Sequence, residues 1–138
     1  MVRVTAAGVT PRDHTILTGG LPRAKAPLVL GNKGAGIVED SADSAFAVGS
    51  RVMFAGAYGV RENGAWQEWL LVKPEDLALV PDGIDDVTAA SLPVAYLTAQ
   101  ITLTLAGFKA GRPCWLRQSV GRSATRPISS RVRRAPAR

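Results

Sequence analysis

The stretch that most constrains the fold is residues 27–39, PLVLGNKGAGIVE, in which an apolar run is broken by three glycines and then resumes. The apolar residues favour a pleated, half-buried strand, and the glycines allow backbone angles or close approaches that a side chain forbids. The pattern predicts a strand, a special backbone segment that holds Asn32 and Lys33, and a second strand. Polar residues at such a bend can be site residues or the side chains of a plain turn, and this stretch alone leaves both interpretations open.

Length and residue usage limit the architecture. At 138 residues the chain has room for one domain with a real core, but not for two full domains. No uncharged apolar run approaches the roughly 18 residues that a membrane span needs, and a signal-peptide pattern is missing, so we expect a cytoplasmic protein with no membrane partner. The single cysteine, Cys114, excludes an internal disulfide and a multi-cysteine zinc site. The only histidine, His14, is interpreted as a surface or capping residue.

The net charge of +6 is distributed unevenly. Residues 1–110 contain nine Lys and Arg against all eleven acids, whereas residues 111–138 contain eight arginines, no lysine and no acid. The basicity therefore lies entirely in the tail, which has neither a helical nor a strand period and is predicted to be disordered.

The body changes its hydrophobic period once. Alternation and turn residues predict a short helix after Asp13 and strands over residues 2–9, 48–54, 65–72 and 77–80. After residue 85 the period becomes about 3.6, with Asp85 or Asp86 as the cap of a helix, and Leu92 and Pro93 interrupt it before a second helix over residues 95–105. The predicted fold class is mainly β with a C-terminal helical pair.

Five motifs in this order carry a resemblance to a known family. They are AAGVTPRD at 6–13, LGNKGAGIVE at 30–39, VGSRV at 48–52, GAWQEW at 64–69 and AASLPVAYLTA at 89–99. Together they resemble the medium-chain dehydrogenase/reductase superfamily, and the branch looks like the zinc-independent quinone oxidoreductases. The resemblance implies a partial GroES-like β-barrel catalytic domain over residues 1–84. A helical pair over residues 85–110 would lead to a Rossmann domain that binds NADPH.

The same resemblance suggests site residues. The zinc-dependent branch has Cys at the position of Thr10 and His-Glu at Asn32 and Lys33, so no metal site is expected here. Without a metal, the oxyanion that develops during hydride transfer needs hydrogen-bond donors, and Thr10, Lys33 and Tyr58 are the candidates for this catalytic role. Thr10 and Thr98 are expected beside the nicotinamide. Quinone reductases typically have Asn where this chain has Thr10 and Tyr where it has Thr15.

Two parts of the family pattern are absent from the sequence. The family usually has a pair of strands before the segment that starts at Val2, and a glycine-rich phosphate loop is expected after Gly111, where the arginine tail stands. Read one base out of frame, the tail from Pro113 can encode VLAPAVGGSVGNATYQLARA, a strand, a Gly-Gly-x-x-Gly turn and a helix. We therefore interpret residues 111–138 as frame-shifted, which the sequence of the gene would test.

These observations lead to a main hypothesis and to alternatives. The main one is a truncated NADPH-dependent quinone or enone oxidoreductase, acting on a small molecule and impaired in cofactor binding as it stands. The alternative is a small β-domain with an arginine-rich arm for nucleic acid, whose binding would weaken steeply with salt; the lack of lysine and of interleaved aromatic residues argues against it. A third is a misfolded or self-associating product, such as a homo-oligomer, because the apolar surface of the helices after residue 85 favours association unless another part of the protein buries it.

Overall fold

The structure, a computed structural model, describes residues 1–41 and 45–109 in full, together with the backbone of two short strands near the C-terminus. The elements, in chain order, are β1 (Val2–Ala7), α1 (Pro11–Leu17), β2 (Lys33–Val38), β3 (Arg51–Ala55), β4 (Trp69–Leu70), a single 3-10 turn (Pro74–Asp76), β5 (Leu77–Leu79), α2 (Asp86–Leu105), β6 (Cys114–Leu116) and β7 (Ile128–Ser130). No helix among the fully described residues is long and apolar enough to cross a membrane.

Strands β1 to β5 form one antiparallel sheet, in the order β4-β1-β2-β3-β5. β2 lies in the middle, with β1 on one side and β3 on the other. The sheet is open between its edge strands β4 and β5. This arrangement confirms the predicted fold class, a mainly β structure of the GroES-like type whose barrel is not closed.

The sheet separates two apolar clusters. A register shift between Val4 and Ala6 in β1 marks a bulge, after which the strand's side chains change faces. Val4 packs against the larger cluster and Ala6 against the smaller one. The larger cluster consists of Val2, Val38, Val52, Phe54, Tyr58, Ala65 and Leu70. In the smaller cluster, Ala35 and Val80 meet Ala89 and Ala90 of α2, so the first half of that helix covers the second face of the sheet.

Helix α2 is continuous where the sequence predicts two helices. It runs through Pro93, although the ring has no N–H to donate to the carbonyl of Ala89. The helix begins as expected: the Asp85 carboxylate accepts a hydrogen bond from the backbone N–H of Thr88 at 2.7 Å. Burial of Ala89 and Ala90 against the sheet holds the first turns in place, and this tertiary contact offsets the local cost of the proline.

Two predicted strands have a different local structure. Residues 28–30 are not a strand, and only Trp69–Leu70 of the predicted strand 65–72 pairs with the sheet. Instead, the two segments bond to each other irregularly: the N–H groups of Gly64, Ala65 and Trp66 donate to the carbonyls of Val29, Gly31 and Leu30. These bonds satisfy both backbones, so neither segment needs a regular ladder.

The chain divides into two compact units, Met1–Leu97 and Thr98–Arg138, and the boundary falls inside α2. In the second unit β6 and β7 pair antiparallel. The rest of the arginine-rich tail, on which the predictions of disorder and of a frame shift fall, lies outside the described residues. The sheet, α1 and the candidate site all belong to the first unit.

Gly36 tests how closely the central strands are packed. A Cβ at this position would collide with the backbone carbonyl of Arg3 and come within 2.7 Å of Cγ1 of Val2. Because the backbone of β1 cannot move away without losing its pairing, Gly36→Ala is expected to lower the free energy of unfolding by about 3 kcal/mol or more. Gly20→Ala, which meets only a flexible threonine methyl at 2.9 Å and the same residue's carbonyl oxygen at 3.2 Å, is the control in urea denaturation. Equal effects of the two substitutions would contradict this account.

Asp86 links the start of α2 to the sheet in a pH-dependent way. Its carboxylate accepts hydrogen bonds from Nε and Nη2 of Arg51 at 3.1 and 2.6 Å. The hydrogen bonds from the Arg51 guanidinium hold the pKa of Asp86 below its ordinary value of 3.8. A lowered pKa means that the ionised group stabilises the fold above pH 3.8 and that this contribution is lost as the pH falls through the lower folded value.

We therefore expect Asp86→Asn to reduce stability at pH 6 and to reduce it much less at pH 2.5. Urea denaturation between these pH values measures the difference between variant and wild type. Asp82→Asn, in the exposed turn before α2, serves as the control. A deficit in Asp86→Asn that stays the same across this range would show that the ion pair does not contribute.

Candidate active site

A buried carboxylate, Asp13, connects the start of α1 to the glycine segment. Oδ2 of Asp13 accepts hydrogen bonds from the backbone N–H and the hydroxyl of Thr10, at 2.7 and 2.6 Å, and Oδ1 accepts one from the N–H of Gly31 at 3.2 Å. Asp13 is only 2% exposed to solvent. Thr10 precedes Pro11, the first residue of α1, so this network places the threonine beside Gly31. The sequence predicts a short helix after Asp13; in the structure this helix begins at Pro11, and the hydrogen bond between Asp13 and Gly31 is not predicted.

Gly31 makes room for an aromatic side chain. Its φ of +99° is one that glycine adopts readily, and a Cβ there would lie 2.6 Å from Cδ1 of Trp66. The indole N–H of Trp66 donates to the carbonyl of Gly8 at 3.3 Å, while the residue stays 40% exposed. Trp66 therefore lies against Gly31 at the surface of the site. The sequence instead places Trp66 within a predicted strand over residues 65–72.

The side chain of Lys33 extends from the sheet to α2. Its aliphatic stem crosses Gly8, where a Cβ would collide with Cε of the lysine, and Nζ donates to the carbonyl of Ser91 at 3.0 Å. The residue is 8% exposed. The ion pairs found within residues 1–41 and 45–109 involve Arg3 and Arg51, so Lys33 has no carboxylate partner there. A buried cation that bonds to one neutral carbonyl retains donor capacity for an anion.

Asn32 is a buried polar residue whose side-chain oxygen has no hydrogen-bond partner among the described residues. Its backbone carbonyl accepts a hydrogen bond from the N–H of Gly56 at 3.1 Å. The residue is 5% exposed, and Oδ1 is buried without a hydrogen-bond partner among the described residues. Buried polar atoms in proteins almost always have a partner, so an orphan next to Lys33 marks this position as unusual. The sequence shows the polar pair at the bend, but not that one of its members lacks a partner.

The other two predicted site residues lie in different surroundings. Tyr58 is in the larger cluster, where its hydroxyl donates to Asp76 at 2.8 Å and accepts from the N–H of Lys73 at 3.0 Å. Burial, together with the nearby Asp76 carboxylate, raises the pKa of Tyr58 well above its ordinary value of 10.0. These contacts give Tyr58 a structural role, and its catalytic role stays a prediction. Thr98 lies in the second half of α2, in the other unit, and its place beside a nicotinamide also stays a prediction.

The polar side chains around the bend suit a neutral or anionic organic ligand better than a metal ion. They are a hydroxyl, an amide and an ammonium group, from Thr10, Asn32 and Lys33, and zinc prefers thiolate and imidazole. Within the described residues, no group of three His, Cys, Asp or Glu side chains comes together. The chemistry on offer is therefore hydrogen bonding and charge stabilisation.

Removing the Tyr58 hydroxyl tests its structural role. Tyr58→Phe leaves the Lys73 N–H and the Asp76 carboxylate without this partner, so the free energy of unfolding is expected to fall by about 1–3 kcal/mol. Tyr96→Phe, at a residue that is 68% exposed, is the control and should change little. Chemical denaturation measures both. Unchanged stability in Tyr58→Phe would contradict the structural role.

Comparisons with known proteins identify the family. Residues 1–82 match the alcohol dehydrogenase GroES-like domain. The chain is 38% identical over 104 residues to the quinone oxidoreductase of Pseudomonas aeruginosa, covering 74% of this chain and 31% of that protein. It is 31% identical over 117 residues to the trans-enoyl reductase tndF of Aspergillus flavipes, covering 79% of this chain and 34% of the relative.

A solved structure agrees with these relatives. The yhdH oxidoreductase of Salmonella enterica, determined in complex with NADP, matches with a TM-score of 0.67 and 27% identity over 79% of this chain and 36% of that one. The chain thus spans about a third of the length of these three proteins. With five strands in a GroES-like sheet and the family match over residues 1–82, the chain belongs to the alcohol dehydrogenase GroES-like domain family, in the quinone oxidoreductase-like branch of the medium-chain dehydrogenases/reductases.

Proposed function

We propose that this chain carries the substrate-binding side of a zinc-independent, NADPH-dependent reductase of quinones or enones. The observation that carries the proposal is Lys33, a buried cation held by the Ser91 carbonyl without a carboxylate partner in the described part of the chain. Such a group suits a ligand that becomes negatively charged during the reaction. The names of two relatives, a quinone oxidoreductase and a trans-enoyl reductase, support the same pair of substrate classes.

The charge to be stabilised arises on the substrate. NADPH, when bound, would supply a hydride to a conjugated carbon of the substrate. Negative charge would then develop on the substrate's carbonyl oxygen, which would take its proton from solvent. Lys33 Nζ has three donors and gives one to Ser91, so two remain for that oxygen.

Thr10 has a different capacity. Its single hydroxyl hydrogen points to Asp13 at 2.6 Å, which leaves the oxygen's lone pairs free to accept. In this state Thr10 suits an N–H donor, such as the carboxamide of a nicotinamide, better than an oxyanion. Lys33 is therefore the main oxyanion donor in the proposal, and Thr10 binds the cofactor. Thr98, by resemblance to the family, is proposed to contact the nicotinamide as well.

The described residues fit only one end of the cofactor. Neutral hydrogen-bonding groups suit the nicotinamide. Phosphates favour a helix N-terminus with free N–H groups, whereas the first turns of α1 and α2 carry Asp13 and Asp86, whose charge repels phosphate. We therefore propose that this chain binds NADPH weakly and that a hydride donor without phosphates serves it nearly as well.

Hydride transfer to a quinone tests the proposal directly. The full chain is mixed with 1,2-naphthoquinone and either NADPH or N-benzyl-1,4-dihydronicotinamide, and oxidation of the donor is followed by absorbance with EDTA present. We expect a rate above that of the protein-free mixture with both donors, and a loss of about tenfold or more in Lys33→Met, because the oxyanion loses its cationic partner.

Lys25→Met is the matched control, because Lys25 is an exposed lysine outside the site. It should retain the full rate. Rates that equal the protein-free rate with both donors, or that appear only after zinc is added, would refute a zinc-independent reductase.

A further inference from the structure

The side-chain oxygen of Asn32 can accept a hydrogen bond, but no described residue donates one to it. Oδ1 is an acceptor only, it is shielded from solvent, and it has no partner among the described residues. Leaving such an atom unpaired destabilises a fold, since the atom has lost its hydrogen bonds to water without replacing them. Strained or unsatisfied groups that persist in a native structure concentrate at functional sites, where a ligand completes them.

The position of Asn32 ties it to the site. It lies between Gly31, which Asp13 holds at 3.2 Å, and Lys33, which Ser91 holds at 3.0 Å. Its backbone carbonyl is fixed by the N–H of Gly56 at 3.1 Å. Both neighbours and its own backbone are thus held in place, while its side-chain oxygen has no partner. Such an arrangement orients the amide without using up its acceptor.

We propose that Oδ1 of Asn32 accepts a hydrogen bond from a phenolic or enolic hydroxyl of the bound ligand. The choice of a hydroxyl follows from the atom: an acceptor repels the carbonyl oxygens of a quinone or enone, but it pairs with the O–H group that reduction creates. Asn32 therefore favours the hydroquinone or enol over the oxidised compound. The ligand class rests on the proposed reductase function; the need for a donor rests on the structure alone.

Trp66 offers a fluorescence signal for ligand binding near Asn32. The indole lies against Gly31, the residue before Asn32, and its N–H makes only a long hydrogen bond of 3.3 Å to Gly8. Trp66 is 40% exposed. Because the indole contacts the direct chain neighbour of Asn32, we expect a ligand bound at Asn32 to change the surroundings of the ring and therefore the tryptophan fluorescence.

The test compares two ligands, one with hydroxyl groups and one in which methyl groups replace the hydroxyl hydrogens. Anaerobic 1,4-hydroquinone and 1,4-dimethoxybenzene share one ring and its two oxygens, but only the first has O–H groups. The full chain, without NADPH or any other hydride donor, is titrated with each by tryptophan fluorescence and by amide NMR. For the wild type we expect hydroquinone to bind at least tenfold more tightly, with the largest shifts at the Asn32 side-chain amide and Gly31.

Substitution of Asn32 should remove that preference. Asn32→Leu is expected to bind both compounds with similar, weak affinity. Its thermal midpoint should be no lower than that of the wild type, because the variant loses a polar atom that had no partner. Asn63→Leu is the matched control: the Oδ1 of Asn63 is already paired, accepting from the Val29 N–H at 3.0 Å, so this variant should keep the preference for hydroquinone.

The outcomes separate the two proposals. Equal binding of the two compounds by the wild type, no binding of hydroquinone, or a clearly lowered thermal midpoint in Asn32→Leu would overturn the role of Asn32, and the ligand comparison stands even if the variant does not fold. A preference for hydroquinone in a chain that transfers no hydride would support Asn32 and refute only the reductase function. Hydride transfer without that preference would do the reverse.

Discussion

The buried carboxylate of Asp13 is the interaction on which the site depends. It is shared by two segments that are far apart in sequence, since it accepts from Thr10 on one side and from Gly31 on the other. A buried charge is costly unless several donors surround it, and here three N–H and O–H groups do so. The same contacts fix the entry to α1 and the bend before β2. These contacts consequently fix the positions of Thr10 and Gly31, and of Asn32 and Lys33, which follow Gly31.

The central strand β2 continues this arrangement into the sheet. Gly36 lets β1 approach closely, and Ala35 faces the first turns of α2 across the smaller cluster. Lys33, at the start of the same strand, reaches the carbonyl of Ser91 in that helix. The position of the lysine therefore depends on the packing of α2, and Asn32, with its orphaned oxygen, is the residue before it in the chain. In the two proposals, the cation of Lys33 suits the oxyanion of the reaction, and the unpaired acceptor of Asn32 suits the hydroxyl of its product.

Local patterns predicted most of the elements, and tertiary contacts decided where the predictions were wrong. The alternation in β1 and the Asp85 cap of α2 are local signals, and both elements form where these signals indicate, whereas α1 begins at Pro11 and not after Asp13 as predicted. Pro93 is a strong local signal as well, yet the burial of Ala89 and Ala90 keeps α2 continuous. Residues 28–30 and 65–68 have strand-forming composition, but the carbonyls of Val29 and Leu30 accept from Gly64 and Trp66 outside the ladder.

The sequence proposes candidate residues for the site, but it does not show how they are bonded. By itself the sequence determined the family, through five short motifs, and it identified Thr10 and Lys33 as candidates because their positions replace metal ligands. It also indicated, from the residue types at those positions, a chemistry of hydrogen bonds. Only the tertiary structure decided that Tyr58 is bonded within the core, that Asp13 joins Thr10 to Gly31, and that Asn32 has an acceptor without a donor. The reason is physical: a residue type fixes which hydrogen bonds a side chain can make, whereas the folding of distant segments decides which of them are made.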